Sequence, residues 1–168
     1  RRLEMDVIAQ AAFIAKACEG RPVQTVWDRT QDLQHDFYRP AASSRFKAGL
    51  DEDGQLTAWV NHSASQAIVP QALHRLFGIP AAGPDKTTAE GAFDQAYEWP
   101  HVSVSHSTVD LPIPVGFWRS VGHSHHAFFK ESFVDEVAHA TGRSPLDLRL
   151  AWLKQHPRHT HALKEVTQ

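Results

Sequence analysis

Residues 44–60, SRFKAGLDEDGQLTAWV, predict a β-hairpin. Apolar side chains alternate with polar or charged ones in both halves of this stretch, which is the period of strands that bury one face. Residues 51–54, DEDG, separate the halves with a turn signal, and we expect the second strand to continue to about Ser65. The apolar positions of the two strands are Phe46, Ala48, Leu50, Leu56, Ala58 and Val60.

Helical patterns flank the hairpin on both sides. Residues 4–19 carry apolar side chains at helical spacing and end at Gly20, and residues 127–141 do the same before Gly142. Each pattern predicts a helix that packs through one face. Cys18 lies on the apolar face of the first helix, so we expect it to be a small buried side chain.

A further helix is predicted close to the end of the chain. Ser144 has the side chain of a helix cap, Pro145 suits the first helical position, and Asp147 follows the cap by three residues. We expect Pro157 to end this helix, because proline cannot donate the backbone hydrogen bond that continues a helix.

The remaining segments complete a mixed fold. Residues 23–28 and 102–109 have the composition of strands, with β-branched side chains in both. Residues 66–100 contain several prolines and glycines, so we expect a variable excursion in which only residues 71–77 form a short helix. Because no regular βαβ rhythm emerges, the sequence predicts an α+β or irregular α/β fold, with the hairpin in a mixed sheet and helices packed against it.

Composition excludes several classes of protein. The 17 basic and 19 acidic residues give a net charge of −2 with no basic stripe, so a nucleic-acid partner is not expected. A single cysteine excludes an intrachain disulfide and cysteine-ligated iron–sulfur clusters. No apolar run reaches the roughly 18–20 residues that span a bilayer. Because Arg1 is not an initiator methionine, we expect residues 1–168 to be an internal piece of a longer chain.

Residues 114–124, PVGFWRSVGHS, form the most distinctive motif. Arg119 supplies a permanently charged guanidinium, while Gly116 and Gly122 permit tight backbone geometry near a helix start, where N–H groups suit anions. The motif resembles the molybdopterin-contacting loop of the aldehyde oxidase and xanthine dehydrogenase family. Xanthine-type members read approximately Phe-Arg-Gly-Phe-Gly-Gly there, and the Trp-Arg-Ser-Val-Gly-His version in this chain is similar to the isoquinoline 1-oxidoreductase-like branch.

Three other segments carry the same resemblance. Residues 1–6, RRLEMD, are similar to the continuation of a glycine loop that approaches the molybdenum in this family. Residues 21–29 and 35–40 match the same branch. The chain is thereby identified as a fragment of the molybdopterin-binding large (beta) subunit, and its fold is expected to be of the molybdenum cofactor-binding type.

The resemblance implies a cofactor-contact set and a substrate pocket. The cofactor-contact set is Gly116, Phe117, Trp118, Arg119, Ser120 and Gly122. In the pocket, Leu3 stands where xanthine-type enzymes have a purine-binding glutamate, and Gly91 where they have a purine-binding arginine. Val121 occupies a position that faces the substrate in relatives. A pocket with so little charge favours a neutral N-heterocycle or an aldehyde over xanthine.

The resemblance also implies a cofactor and partners. The cofactor is molybdopterin with molybdenum, in its cytosine dinucleotide form, and water is the source of the oxygen atom. The partners are the remainder of the large subunit and a small [2Fe–2S] subunit that receives electrons. The glutamate that serves as base in this family has no match here, so we expect no catalytic residue in the fragment and no turnover by it alone.

Two other functions stay open. The same fold could serve as an interaction module that binds no cofactor. The 12 histidines, several of them at 123–126 and 156–161, raise the hypothesis of a metal-binding module. We assign them no metal, because neither cysteines nor well-spaced carboxylates accompany them.

Overall fold

The predicted hairpin forms one side of a three-stranded mixed sheet. The computed structural model describes residues 4, 6–80 and 83–167. Strands β1 (Ala42–Leu50) and β2 (Leu56–Ser65) pair antiparallel, and β3 (Val102–Thr108) pairs parallel to β2, in the order β1-β2-β3. The mixed sheet, with helices packed against it, confirms the predicted α+β class.

Among the described residues, six α-helices and one short 3-10 helix accompany the sheet. In chain order the α-helices are α1 (Asp6–Ala17), α2 (Arg29–His35), α3 (Val69–Phe77), α4 (Val121–Thr141), α5 (Pro145–Ala151) and α6 (Pro157–Glu165). The 3-10 helix is Lys86–Ala89, between α3 and β3. The crossover that joins the parallel strands β2 and β3 therefore contains helical segments, as such connections usually do. None of the helices in the described residues is long and apolar enough to cross a membrane.

The hairpin contains a β-bulge that changes which side chains face inward. Gly49 pairs with Ala58 and Leu50 pairs with Leu56, so Thr57 is an extra residue in β2. An extra residue reverses the alternation beyond it, because side chains in a strand have a period of two. The predicted inward positions in the second half of the hairpin are therefore wrong from Ala58 onward. The side chains buried instead are those of Trp59, Asn61, Ser63 and Ser65.

An aromatic cluster fills the end of the sheet nearest the hairpin turn. Trp59 stacks on Trp99 with ring centroids 3.7 Å apart and has 1% of its surface exposed. Helices α4 and α5 cover this stack. The buried core around Trp59 contains Leu56, Trp99, Val134, Val137, Ala138, Leu148 and Trp152, with Phe46 and Phe133 packed against it.

The C-terminal helices differ from the predictions in two ways. Helix α4 begins at Val121 rather than near residue 127, so part of the 114–124 motif is helical. The cap at Ser144 is confirmed, because its side chain accepts a hydrogen bond from the Asp147 amide. Pro157 was expected to end α5, but α5 already ends at Ala151, and Pro157 lies at the start of α6. Proline suits that position because the first helical N–H has no partner within the helix.

The N-terminal third departs furthest from the predictions. Residues 23–28 form no strand, and Asp28 instead begins α2 through a capping box with Gln31. Helix α1 is present as predicted, but none of its residues is buried, and Phe13 remains 78% exposed. Cys18 is half-buried rather than buried. The apolar face of α1 therefore packs little against the described residues.

Replacing Trp59 with alanine should lower the free energy of unfolding by about 3–5 kcal/mol, because a fully buried indole leaves a packed stack. The matched control is Val60→Ala on the opposite face of β2, which should cost about 1 kcal/mol or less. Urea unfolding followed by far-UV circular dichroism measures both changes. Equal losses of stability in the two variants would contradict the observation that Trp59 faces the core and Val60 faces outward.

Candidate functional site

The 114–122 loop is fixed along its first half by residues 37–39. The Tyr38 amide donates to the Pro114 carbonyl at 3.0 Å, and the Gly116 amide donates to the Tyr38 carbonyl at 3.0 Å. A Cβ atom on Gly116 would lie 2.6 Å from the Cβ of Phe37. Glycine is therefore required at 116 for the loop to lie directly against Phe37.

Arg39 holds the second half of the loop. Its guanidinium donates to the carbonyl of Val121 at 3.0 Å and to that of Arg119 at 3.2 Å. The same guanidinium lies 5.7 Å from the Trp118 ring centroid, and the Trp118 indole N–H donates to the Phe37 carbonyl at 2.7 Å. The sequence gives no role to Arg39, because its partners lie about 80 residues away along the chain. Its only signal was the resemblance carried by residues 35–40.

The turn at the end of the loop has an unusual backbone. Ser120 has φ 65° and Val121 has φ 38°, and both values lie in the left-handed region that favours glycine. Such a conformation costs on the order of 1–3 kcal/mol per residue and persists only where its surroundings enforce it. The Val121 amide donates to the Trp118 carbonyl at 3.0 Å, which closes the turn.

The Arg119 side chain extends from this turn toward solvent. It lines a pocket of about 210 Å³ formed between α2 and the loop. Its guanidinium makes no hydrogen bond or ion pair with any residue that the structure describes. The cation is therefore available to an anionic group from outside the chain. The pocket lining also includes Arg29, Asp32, Leu33, Asp36, Phe117 and Trp118.

The start of α4 lies on the 3-10 helix and on the residues that follow it. A Cβ atom on Gly122 would lie 2.6 Å from the Thr87 carbonyl oxygen and 2.8 Å from that of Glu90. Gly91 has φ 89°, and a Cβ atom there would lie 3.0 Å from the Cα of His123. Both glycines thus allow two backbone segments to touch, and they bring the predicted pocket residue Gly91 next to the predicted loop.

Asp85 anchors this supporting segment. Its buried carboxylate accepts hydrogen bonds from the Ile68 and Val69 amides at 2.6 and 2.8 Å, and from the Thr87 amide at 3.0 Å. Residues 66–100 were expected to be a variable excursion with one short helix. The helix is confirmed as α3, and the rest of the described segment supports the loop rather than projecting away from it.

Three histidines form an uncharged layer beneath the start of α4. His125 and His126 each place Nε2 within hydrogen-bond distance of the Thr88 carbonyl, at 3.1 and 3.2 Å, so both must donate through that atom. His106 lies 3.1 Å from the Thr88 hydroxyl and 2.8 Å from that of Ser63. Burial lowers the pKa of all three imidazoles, and that of His126 to about 4. Within residues 4, 6–80 and 83–167, no group of three or more side chains is arranged to hold a metal ion.

The structure brings most of the predicted site residues together. Gly116, Phe117, Trp118, Arg119, Ser120, Val121 and Gly122 form one continuous loop and helix start, and Gly91 contacts the same helix start. Leu3, predicted to line the substrate pocket, lies outside the described residues. The sequence did not indicate the supporting residues Asp85 and Thr88, and it indicated Arg39 only through the resemblance carried by residues 35–40.

Comparison with known proteins yields one family and two relatives. Residues 3–153 match the family model described as the molybdopterin cofactor-binding domain. The chain is 27% identical to the isoquinoline 1-oxidoreductase beta subunit of Brevundimonas diminuta, over 100% of this chain and 21% of that protein. It is 28% identical to a membrane-bound aldehyde dehydrogenase (pyrroloquinoline-quinone) of Gluconacetobacter polyoxogenes, over 91% of this chain and 20% of that protein. The chain thus spans about a fifth of the length of these curated relatives.

Substituting glycine for Ser120 should stabilise the protein by about 1 kcal/mol, because glycine adopts a positive φ without steric cost. The control is Ser132→Gly within α4, where glycine should destabilise by about 0.5 kcal/mol. The measurement is the shift of the denaturant midpoint at constant slope. If Ser120→Gly destabilised the protein as much as Ser132→Gly does, the turn would not have the positive φ described.

The neutral histidine layer predicts a dependence of stability on pH. An unfolded chain binds a proton at His126 below about pH 6.5, whereas the folded chain does so only near pH 4. The unfolded state therefore holds more protons between these values, so the free energy of unfolding falls as the pH is lowered through this window. Above the window, this group leaves stability independent of pH.

His126→Gln should reduce that loss, because the glutamine cannot take up a proton. His139→Gln, at an exposed position of the same helix, is the control. Urea unfolding at pH 7, 6, 5 and 4.5 gives the slope for each variant. Parallel slopes for wild type and His126→Gln would refute the assignment of a neutral buried His126.

Proposed function

Because the chain belongs to the molybdopterin cofactor-binding domain family, we propose that its 114–122 loop binds the molybdenum cofactor of an oxidoreductase. The observation that carries the proposal is the Arg119 guanidinium, which pairs with none of the described residues and lies beside a strained turn whose carbonyls Arg39 holds. Strained, over-determined backbone is typical of functional sites. A free arginine fork is the side chain suited to a phosphate or another bidentate anion.

The loop fits a phosphate-bearing pterin through its side chains and its turn. In the proposed arrangement, Arg119 holds an anionic oxygen of the cofactor, and the backbone of Trp118 and Arg119 lies against the cofactor. The part-exposed rings of Phe117 and Trp118 form an apolar wall. Gly116 and Gly122 contribute to the packing of the loop against the rest of the protein. A Cβ atom on Gly116 would clash with Phe37, and one on Gly122 would clash with the backbone of Thr87 and Glu90.

When bound, the molybdenum cofactor supplies two-electron oxidation of a substrate with an oxygen atom from water. We propose a neutral N-heterocycle or an aldehyde as the substrate. The names of the two relatives specify an isoquinoline and an aldehyde for those proteins. The proposed substrate wall, consisting of Leu3, Gly91 and Val121, offers no charged side chain. Such a wall discriminates against a polar purine, which would leave its hydrogen-bonding groups unpaired.

The complete enzyme is proposed to need groups beyond this chain. We propose the cytosine dinucleotide form of the cofactor, a small [2Fe–2S] subunit as the electron acceptor, and the remainder of the large subunit. Within the chain, the proposed tasks are to bind and orient: Arg119 anchors the cofactor, and Arg39 keeps the Arg119 and Val121 carbonyls in place. We assign the general base to residues outside the chain, and no turnover to these 168 residues alone.

An interaction module that retains the fold without the cofactor is the alternative function. An interaction module would not need a strained turn that presents a cation with no partner in the described part of the chain, whereas a cofactor site would use both features. The aldehyde dehydrogenase relative has a name that specifies pyrroloquinoline quinone for that protein. Extraction and identification of the bound cofactor therefore separates three outcomes, which are a pterin, a quinone and none.

Arg119 variants of the full-length chain, expressed with its cofactor-maturation machinery, test the proposal. Arg119→Gln should reduce retained molybdenum and pterin by at least about tenfold, because loss of a charge-assisted bidentate contact costs roughly 1.5–3 kcal/mol. Arg119→Lys should retain an intermediate amount, since it keeps the charge and loses the fork. Metal analysis and pterin fluorescence after oxidation provide the readout.

Arg45→Gln is the matched control, because Arg45 is an exposed arginine on the outer face of β1. This variant should retain as much molybdenum and pterin as wild type. A correctly matured wild-type protein without pterin would refute the proposed function. Equal retention in Arg119→Gln and Arg45→Gln would remove Arg119 from the cofactor-contact set.

A further inference from the structure

Arg75 on α3 contacts groups from three distant parts of the chain. Its Nε and Nη2 atoms donate to the two carboxylate oxygens of Glu4 at 2.5 and 2.7 Å. Nη2 also donates to the Val115 carbonyl at 2.9 Å, and the guanidinium lies 3.8 Å from the centroid of the Phe37 ring. One side chain therefore joins Glu4, the start of the 114–122 loop and the segment that clamps the loop.

These contacts form in a partly buried environment. The Arg75 side chain is 23% exposed and that of Glu4 is 12% exposed, so solvent screens the pair less than a surface ion pair. Two parallel N–H···O bonds fix the direction of the carboxylate as well as its distance. The guanidinium over Phe37 adds a cation–π contact. The arrangement fixes a geometry in addition to contributing stability.

Helix α3 satisfies both backbone groups of Val115. Gln71 lies one turn before Arg75, and its Oε1 accepts a hydrogen bond from the Val115 amide at 3.0 Å. Arg75 binds the carbonyl of the same residue, which is fully buried. A buried backbone group without a partner is costly, so the loop cannot move from α3 without losing both bonds.

We infer that Arg75 is a positioning residue that, through its ion pair with Glu4, holds the start of the 114–122 loop in a fixed place. The inference rests on the proposed function, in which the loop faces the cofactor. Glu4 orients the Arg75 guanidinium, and the same guanidinium donates to the Val115 carbonyl. If Arg75 fixes the start of the loop in this way, a change at Glu4 must alter the hydrogen bonding of residue 115, more than 100 residues away along the chain.

The first experiment measures this coupling without reference to the cofactor. In the full-length chain, Glu4→Gln should raise hydrogen exchange of the Val115 and Gly116 amides by about tenfold, the equivalent of one charge-assisted hydrogen bond. Exchange at Val134 in the core of α4 should stay unchanged, which separates local loosening from global unfolding. Glu52→Gln in the exposed hairpin turn is the control and should change neither set of amides. Unchanged exchange at Val115 and Gly116 in Glu4→Gln would overturn the inference.

The second experiment asks whether the coupling matters to the site. In the holoenzyme, Arg75→Met should accelerate loss of molybdenum and pterin on dialysis by about tenfold or more, and Arg75→Lys less, because an ammonium cannot reproduce the bidentate contact and the ring contact together. The charge-swapped double variant, Glu4→Arg with Arg75→Glu, should restore slow loss relative to either single change. Arg45→Met is the control for removing an arginine.

The outcomes distinguish this inference from the proposed function. Cofactor loss at the wild-type rate in Arg75→Met, with loop exchange raised, would show that the pair is only structural and would overturn the positioning role. A wild-type holoenzyme preparation without pterin would refute the proposed function instead. The exchange measurement would still decide whether Arg75 couples the two segments.

Discussion

One extra residue in β2 determines what lies between the sheet and α4. Thr57 has no partner in β1, and the resulting bulge reverses the alternation of the strand from Ala58 onward. The inner face of β2 then begins with Trp59 and continues with Asn61, Ser63 and Ser65. Without the bulge, Ala58 and Val60 would face inward, and the interior would be a small apolar core with neither the aromatic stack nor the polar layer. The same strand therefore supports an aromatic end that gives stability and a polar end that gives positioning.

The polar end forces the neighbouring segments into fixed positions. A buried hydroxyl without a partner costs about 1–3 kcal/mol, so each inward serine demands a hydrogen bond. Ser63 meets this demand through His106, which also lies within 3.1 Å of the Thr88 hydroxyl. The Thr88 carbonyl in turn takes hydrogen bonds from the two histidines at the start of α4. A chain of hydrogen bonds thus runs from the sheet to the helix that begins where the 114–122 loop ends. Because the histidines in it are neutral, the chain adds no charge that would compete with Arg119 for an anion.

Signals within a few neighbouring residues were sufficient to predict the turns and helix starts that depend only on those residues. The DEDG turn and the Ser144–Pro145 helix start were predicted correctly, because each depends on residues within four positions of one another.

Features that depend on distant partners were missed. The bulge at Thr57 has no composition signal, Arg39 bonds to residues about 80 positions away, and residues 23–28 have strand composition but find no strand to pair with among the described residues. Pro157 shows a third limit, since proline both ends helices and begins them, and only the preceding chain decides which. For the site, the sequence indicated the loop that presents the cation, whereas the residues that hold the loop became visible only in three dimensions.

The strain of the 114–122 loop explains why so many supports converge on it. Ser120 and Val121 are held in a conformation that L-residues avoid, and a free loop of this sequence would relax out of it. Three independent restraints oppose that relaxation: the Arg39 bonds to two carbonyls, the contact of Gly122 with the Thr87 carbonyl, and the α3 bonds to Val115. Each restraint acts at a different point of the loop, so removing one leaves the others in place. A loop held in this way loses little conformational entropy when a ligand binds. The contacts with the ligand therefore contribute to affinity and are not offset by the cost of ordering the loop. The local cost in backbone energy is therefore offset by a loop whose backbone at Arg119 is already in place before anything binds to it.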